Sequence, residues 1–196
     1  MYARIISLNP GEGLFLALEH RLGGVLGKAA TALMSWFALH LCALVLRNFS
    51  EFIQHASIAE TPQLPVLIIM GTTVYLLARN GGKALGKWAV AVIPIVMGIV
   101  VLTVLFSFNI MRPKNFLPIL EHPIGKILTE AYKPFSFPFA EAVVFLGIAD
   151  FVRPSDNPLK IYMGGMLFSA LTLLVIIARN LMILGPAVAS MEYFPS

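Results

Sequence analysis

The strongest constraint in this sequence is that it repeatedly runs for the thickness of a bilayer without a charged side chain. Ala29–Leu46 lies uncharged between Lys28 and Arg47, Trp88–Phe108 follows Lys87, and Ile161–Ala178 lies between Lys160 and Arg179. A spanning helix rises 1.5 Å per residue and needs about 20 mainly apolar residues. Composition agrees: 58% of residues are hydrophobic and only 12% are charged, against roughly 25% charged in a soluble domain. A chain so poor in charge presents its surface to lipid. The expectation is an all-α membrane protein with about five transmembrane helices, over residues 24–49, 62–79, 85–108, 135–152 and 158–184, in a single transmembrane domain covering residues 1–196.

Local signals set the ends of these helices. Lys28 and Arg47 suit snorkelling at the two interfaces, and RNFSEFIQH extends the first helix as an amphipathic stub. Thr61 is placed to cap the second helix, with Pro62 as its first residue. Arg79, Asn80, Gly81 and Gly82 stop it. Pro94 predicts a local kink in the third helix. Asn157 and Pro158 start the fifth, and Gly185-Pro186 ends it. The fourth segment is unlike the others: short, opened by KPFSFPFAE, and carrying Glu141 and Asp150. In a membrane such a segment reads as a discontinuous helix. Before it, Ile124, Ile127, Leu128 and Ala131 fall on one helical face, which predicts an interfacial helix over 123–132.

Orientation follows from Lys and Arg. Arg79, Lys83 and Lys87 make the densest short basic loop and are assigned to the cytoplasm, with Arg21, Lys28, Arg153 and Lys160 on the same side. The 109–134 segment then falls outside with Arg112, Lys114, Lys126 and Lys133. The net charge of +4 is thus spread over juxtamembrane positions, and nucleic acid is not an expected partner; membrane lipid is.

Glu141 is the most informative single residue. A carboxylate inside a spanning segment costs several kcal/mol, of order 3, unless paired, protonated or hydrated. It stands three residues after Pro138, where the helix restarts and where the helix dipole favours an anion. It reads either as part of a ligand, ion or proton site at a broken helix or as a cap for free backbone N–H groups. Ser136, Phe137, Pro138 and Phe139 form the candidate unwound stretch, whose backbone groups survive at membrane depth only if protein or a wet cavity satisfies them. With Glu141 they make the candidate ligand-binding set. Arg179 is expected to snorkel to the outer interface, or to pair with an acidic residue of another segment.

Other chemistry is sparse. His40 and Cys42 point to different faces of one helix, and His20, His55 and His122 have no ligand spacing, so neither a metal nor another cofactor is expected. Cys42 is the single cysteine, which excludes an intrachain disulfide. The N-terminal MYARIISLNPGEG lacks a signal-peptide pattern, so insertion is expected to rely on the helices. Ser35, Ser107 and Ser169 are lone hydroxyls. No nucleophile elbow, P-loop, HExxH or CxxC occurs, and catalytic residues are not expected. Gly23-x-x-x-Gly27 and Gly82-x-x-x-Gly86 sit at helix ends and read as turn glycines; Gly164 and Gly165 are better placed for a close helix approach.

Ordered blocks carry a family resemblance: GGVLGKAATAL entering a helix that ends VLRNFSEFI, then ETPQLPVLIIM, YLLARNGGKALGKWA, PKNFLPIL, PFSFPFAEAVVFL, RNLMILGP and YFPS. In these the chain resembles the permease-like B subunits of spore germinant receptors, within the amino acid–polyamine–organocation transporter superfamily. The resemblance implies a ten-helix LeuT-like inverted-repeat fold, of which the five candidates match helices three to seven. It puts FSFPFAE on the sixth, one of two broken helices that build the substrate site, and leaves the first broken helix outside this chain. It further implies a receptor subunit in the spore inner membrane that senses a small nutrient such as an amino acid, alongside A- and C-type subunits, in spore germination. An amino-acid transporter of the same superfamily, or a truncated fragment without function of its own, are the alternatives.

The orientation is testable by cysteine-accessibility labelling at Asn80 and Lys114. The two positions should label from opposite sides of the membrane; labelling from one side would refute the topology.

Overall fold

In hydrocarbon a chain can satisfy its backbone N–H and C=O groups only within helices or closed barrels, and this chain takes the helical solution. The computed structural model describes residues 2–9, 12–56, 62–117, 123–152, 155–189 and 191, with residues 134, 137 and 138 described by backbone alone. The α-helices are α1 (Tyr2–Leu8), α2 (Leu14–Ala56), α3 (Gln63–Arg79), α4 (Gly82–Ser107), α5 (Ile124–Pro134) and α6 (Pro158–Ala189). Short 3-10 turns occupy Phe108–Ile110 and Pro113–Phe116. A π-helical turn, Phe135–Phe139, follows α5 and leads into a 3-10 segment, Ala140–Phe151. Three helical stretches are long and apolar enough to cross a membrane: Leu14–Ala56, Gly82–Ile110 and Pro158–Ala189; Gln63–Arg79 is a shorter apolar helix. The protein is an all-α membrane protein.

Two compact units are distinguishable, one comprising Ala3–Ala89 with Val144–Asp156, the other Tyr2, Val90–Val143 and Asn157–Ser196. In the first, α2 bends sharply at Gly23, whose φ of 78° suits a residue without Cβ. The uninterrupted helix therefore begins at Gly24. The bend folds Leu18 and Glu19 back against Gly27, where a Cβ would lie 2.6 Å from the Glu19 Cα. The far end of α2 continues through RNFSEFIQHA to Ala56, and Arg47 and Glu51 pair across one turn at 2.7 Å.

A polar clasp joins α2 to α3. Ser50 is fully buried; its hydroxyl donates to the Arg47 carbonyl at 2.8 Å and accepts from the Gln63 side-chain amide at 2.8 Å. α3 starts at Gln63, one residue later than expected, because Pro62 stays extended (ψ 144°) at the N-cap position with no side-chain cap; Thr61 lies outside the described residues. Asn80 and Gly81 alone connect α3 to α4, with the Asn80 amide donating to the Leu76 carbonyl at 2.7 Å. Gly82 lies under the ring of Phe151. The buried apolar side chains of this unit are few: Ala3, Ile6, Leu14, Ala17, Val66, Leu146 and Ala149.

In the second unit the 3-10 turn Pro113–Phe116 packs on α6. The Arg112 N–H and the Asn115 side-chain amide both donate to the Met182 carbonyl, at 3.0 and 2.8 Å. α4 runs through Pro94 without a break in helical backbone. Asn157 caps α6 as its sequence implied, accepting from the N–H groups of Leu159 (3.0 Å) and Lys160 (3.3 Å). At the other end Gly185 takes φ 76° and bends the helix before Pro186. Gly164 and Gly165, expected to admit a close helix, have nothing within 4 Å of a would-be Cβ, so this face carries no neighbour among the described residues.

The long helices bury almost none of their apolar surface: Trp36 is 71% exposed and Phe106 81%. Soluble monomers rarely carry contiguous apolar patches beyond a few hundred Å²; here lipid, or other helices, supplies the contacts. The tight bend at Gly23 generates a prediction. Gly27→Ala should destabilise the helical fold by about 1–3 kcal/mol, whereas Gly24→Ala, with open space around it, should not. Thermal unfolding of the two purified variants compares them.

Candidate functional site

The site is built by the prolines of KPFSFPF. α5 is amphipathic: Ile124, Ile127, Leu128, Ala131 and Tyr132 share one face, and Lys126, Thr129, Glu130 and Lys133 the other. Lys133 stands 2.6 Å from Glu130 and, with its ammonium charge, holds that carboxyl below the usual range. Such a helix suits the plane of a membrane interface.

At Phe135 the helix does not stop; it widens into the π turn Phe135–Phe139 and then tightens into the 3-10 segment Ala140–Phe151. Pro138 has no N–H to give the carbonyl of residue 134, so the regular α ladder cannot continue through it. Single π turns of this kind are frequent at functional sites. The expectation of an unwound stretch is thus corrected. The break is a change of helical pitch over Phe135–Phe151, with one non-helical residue, Ile148 (φ −115°, ψ 22°), further on.

Ser136 is exposed and lies on the π turn, Phe139 ends that turn half-buried, and Glu141 stands half-buried in the first turn of the 3-10 segment. Phe137 and Pro138 belong to the π turn by their backbone. Among the described residues the Glu141 carboxylate makes neither an ion pair nor a capping hydrogen bond.

Two tyrosines join this segment that the sequence reading passed over. The Tyr2 hydroxyl donates to the Ala140 carbonyl at 2.9 Å, one residue before Glu141. The Tyr2 ring lies 6.3 Å from the ring of Tyr162 on α6, tilted by 51°. Among the described residues the Tyr162 hydroxyl is buried with no hydrogen-bond partner, whereas a buried Tyr hydroxyl usually finds one. The available signal was the placement of Tyr162 one turn into α6, at the start of its uncharged run; Tyr2 lies outside every apolar run and offered none.

Arg179 is held across to α4. Its Nε and Nη2 donate to the Ser107 hydroxyl at 3.1 and 2.9 Å, and Nη1 donates to the Asn180 side-chain oxygen at 2.8 Å. Among the described residues it is fastened to α4 by a neutral partner and is not paired with an acidic residue. Ser107, dismissed as a lone hydroxyl, is buried and gives its proton to the Thr103 carbonyl at 2.7 Å.

These features define a class: a helical membrane protein with a carboxylate at a pitch change in an apolar segment. The particular family follows from comparison. A family model described as spore germination protein matches residues 1–196, and the chain belongs to that family. It is similar to spore germination protein KB of Bacillus subtilis (strain 168), 23% identical over 199 residues, covering all of this chain and 53% of that protein. The chain therefore spans about half the length of this relative. No solved structure matches.

The tyrosine pair yields a stability prediction. Tyr2→Phe, which loses the bond to Ala140, should cost about 1 kcal/mol. Tyr162→Phe removes a hydroxyl that bonds nothing and should leave stability unchanged or slightly raised. Thermal unfolding in detergent measures both.

Proposed function

We propose that this chain is part of the permease-like subunit of a spore germinant receptor. In this reading it senses a small nutrient such as an amino acid and contributes to germination from the spore inner membrane, together with A- and C-type subunits. The observation that carries the reading is the family match over the entire chain, supported by the similarity to a germination protein. In the ten-helix arrangement the 135–152 segment would be the sixth helix.

The π turn and Glu141 form one side of the ligand site. A carboxylate without a partner among the described residues is the complement of the ammonium group of an amino acid. The Ser136 hydroxyl, exposed on the π turn formed with Phe137, Pro138 and Phe139, supplies a further hydrogen-bonding group. The Tyr162 hydroxyl, buried and unpartnered, lies near the same turn through Tyr2.

The test is a germinant dose–response in spores carrying Glu141→Gln in the intact receptor, with protein level measured alongside. The amide keeps shape and an acceptor but loses charge. At normal protein level the curve should shift to higher germinant by roughly 10- to 100-fold, as expected for loss of a charged hydrogen bond. An unchanged curve rejects the binding role. Uptake of radiolabelled amino acid by the full-length protein would assign transport instead of reception.

A further inference from the structure

Arg179 is the first charged residue after the uncharged stretch Ile161–Ala178, and Arg112 the first after Lys87 on α4. From Lys160 to Arg179 the helix rises roughly 28 Å, about the thickness of the hydrocarbon layer. Arg179 therefore sits where acyl chains give way to phosphates. The two hydrogen bonds to the Met182 carbonyl fold the chain after α4 back onto α6. They bring Arg112 and Lys114 to the turn of α6 that follows Arg179.

The Arg179 guanidinium is aimed, not free. Three of its hydrogen bonds go to Ser107 and Asn180, which leaves about two of the five N–H donors of an arginine open. Ser107 is committed on every side: its proton to Thr103, its oxygen to Arg179. All the oxygens that Arg179 meets are neutral. The ion pairs of the described residues involve Glu12, Glu51 and Glu130, none of them with Arg179, Arg112 or Lys114. Three positive charges thus gather at one end of α4 and α6 with no counter-charge among the described residues. A half-buried cation at membrane depth calls for one. The anion present at this depth is the phosphodiester of a lipid, which a planar guanidinium grips bidentately and an ammonium as a point charge.

We propose that Arg179, Arg112 and Lys114 form a headgroup site for an anionic phospholipid, with Ser107 as the positioning residue that orients the Arg179 guanidinium. The test uses the purified, delipidated full chain. Retention of phosphatidylglycerol is read by native mass spectrometry, and thermal unfolding is followed with phosphatidylglycerol, phosphatidylcholine or inorganic phosphate added. The wild type should retain phosphatidylglycerol and be stabilised by it more than by phosphatidylcholine. Arg179→Gln should weaken retention about tenfold, the size expected for one charged hydrogen-bonded contact. Ser107→Ala should weaken it less, and Lys160→Gln, at the other end of α6, not at all. Should Arg179→Gln not fold, the exposed pair Arg112→Gln/Lys114→Gln carries the same expectation. Equal retention by wild type and these variants would overturn the site. So would a wild type indifferent to phosphatidylglycerol, which would mean that a carboxylate of the protein neutralises the cluster. Displacement of the lipid by millimolar inorganic phosphate would make it a free-anion site and overturn the lipid assignment.

Discussion

Satisfaction of the backbone in a medium without water governs this structure. An unpaired N–H or C=O in hydrocarbon costs several kcal/mol, of order 3, and each apolar run answers it with an α-helical ladder. The exceptions occur where a glycine takes a left-handed backbone, as at Gly23 and Gly185, or where a proline removes a donor. Pro62 holds the chain extended before α3. Pro138 stands in a π turn that opens onto a 3-10 segment. Pro94, by contrast, is absorbed inside α4. The difference lies in neighbours: Pro94 is isolated in a long run of good helical sequence, whereas Pro138 follows Pro134 by four residues, so the same face of the ladder is interrupted twice.

Most polar side chains in the described residues bond within their own helix, as Thr72, Thr73 and Thr129 do, and a few join elements. Ser50 clasps α2 to α3 through Gln63. Ser107 clasps α4 to α6 through Arg179. Asn115 and the Arg112 N–H share the Met182 carbonyl. Where lipid is as apolar as leucine, helix association gains little from hydrophobic burial, and such bonds, with close packing, supply specificity. Among the described residues the Glu141 carboxylate joins nothing, and neither do the buried hydroxyls of Tyr162 and Thr31.

Half the length of the matched relative is represented by this chain, and the exposed apolar helices fit that fact physically. Gly164 and Gly165 face open space, and Trp36 and Phe106 remain largely uncovered. Surfaces of this kind are stabilised by lipid or by further helices, and the amphipathic α5 by the interface between apolar and aqueous phases.

The sequence by itself determined the class and most of the ladder. Uncharged runs the length of a bilayer leave only helices, so α2, α4 and α6 were legible, as were the start of the straight part of α2 at Gly24, the stop at Asn80-Gly81 and the Asn157 cap, because each is a local consequence of one residue's backbone preference. Glu141 was legible as an anomaly for the same reason: charge in an apolar run is visible without coordinates. The pitch change at Phe135–Phe151, the engagement of Arg179 by Ser107, and the approach of Tyr2 to Ala140 were decided only in three dimensions. A proline announces that a ladder will be disturbed but not which pitch will replace it. Serine 107 and arginine 179 are 72 residues apart in the chain, and no periodicity within either helix encodes that they meet; packing of one helix against another chose the partner.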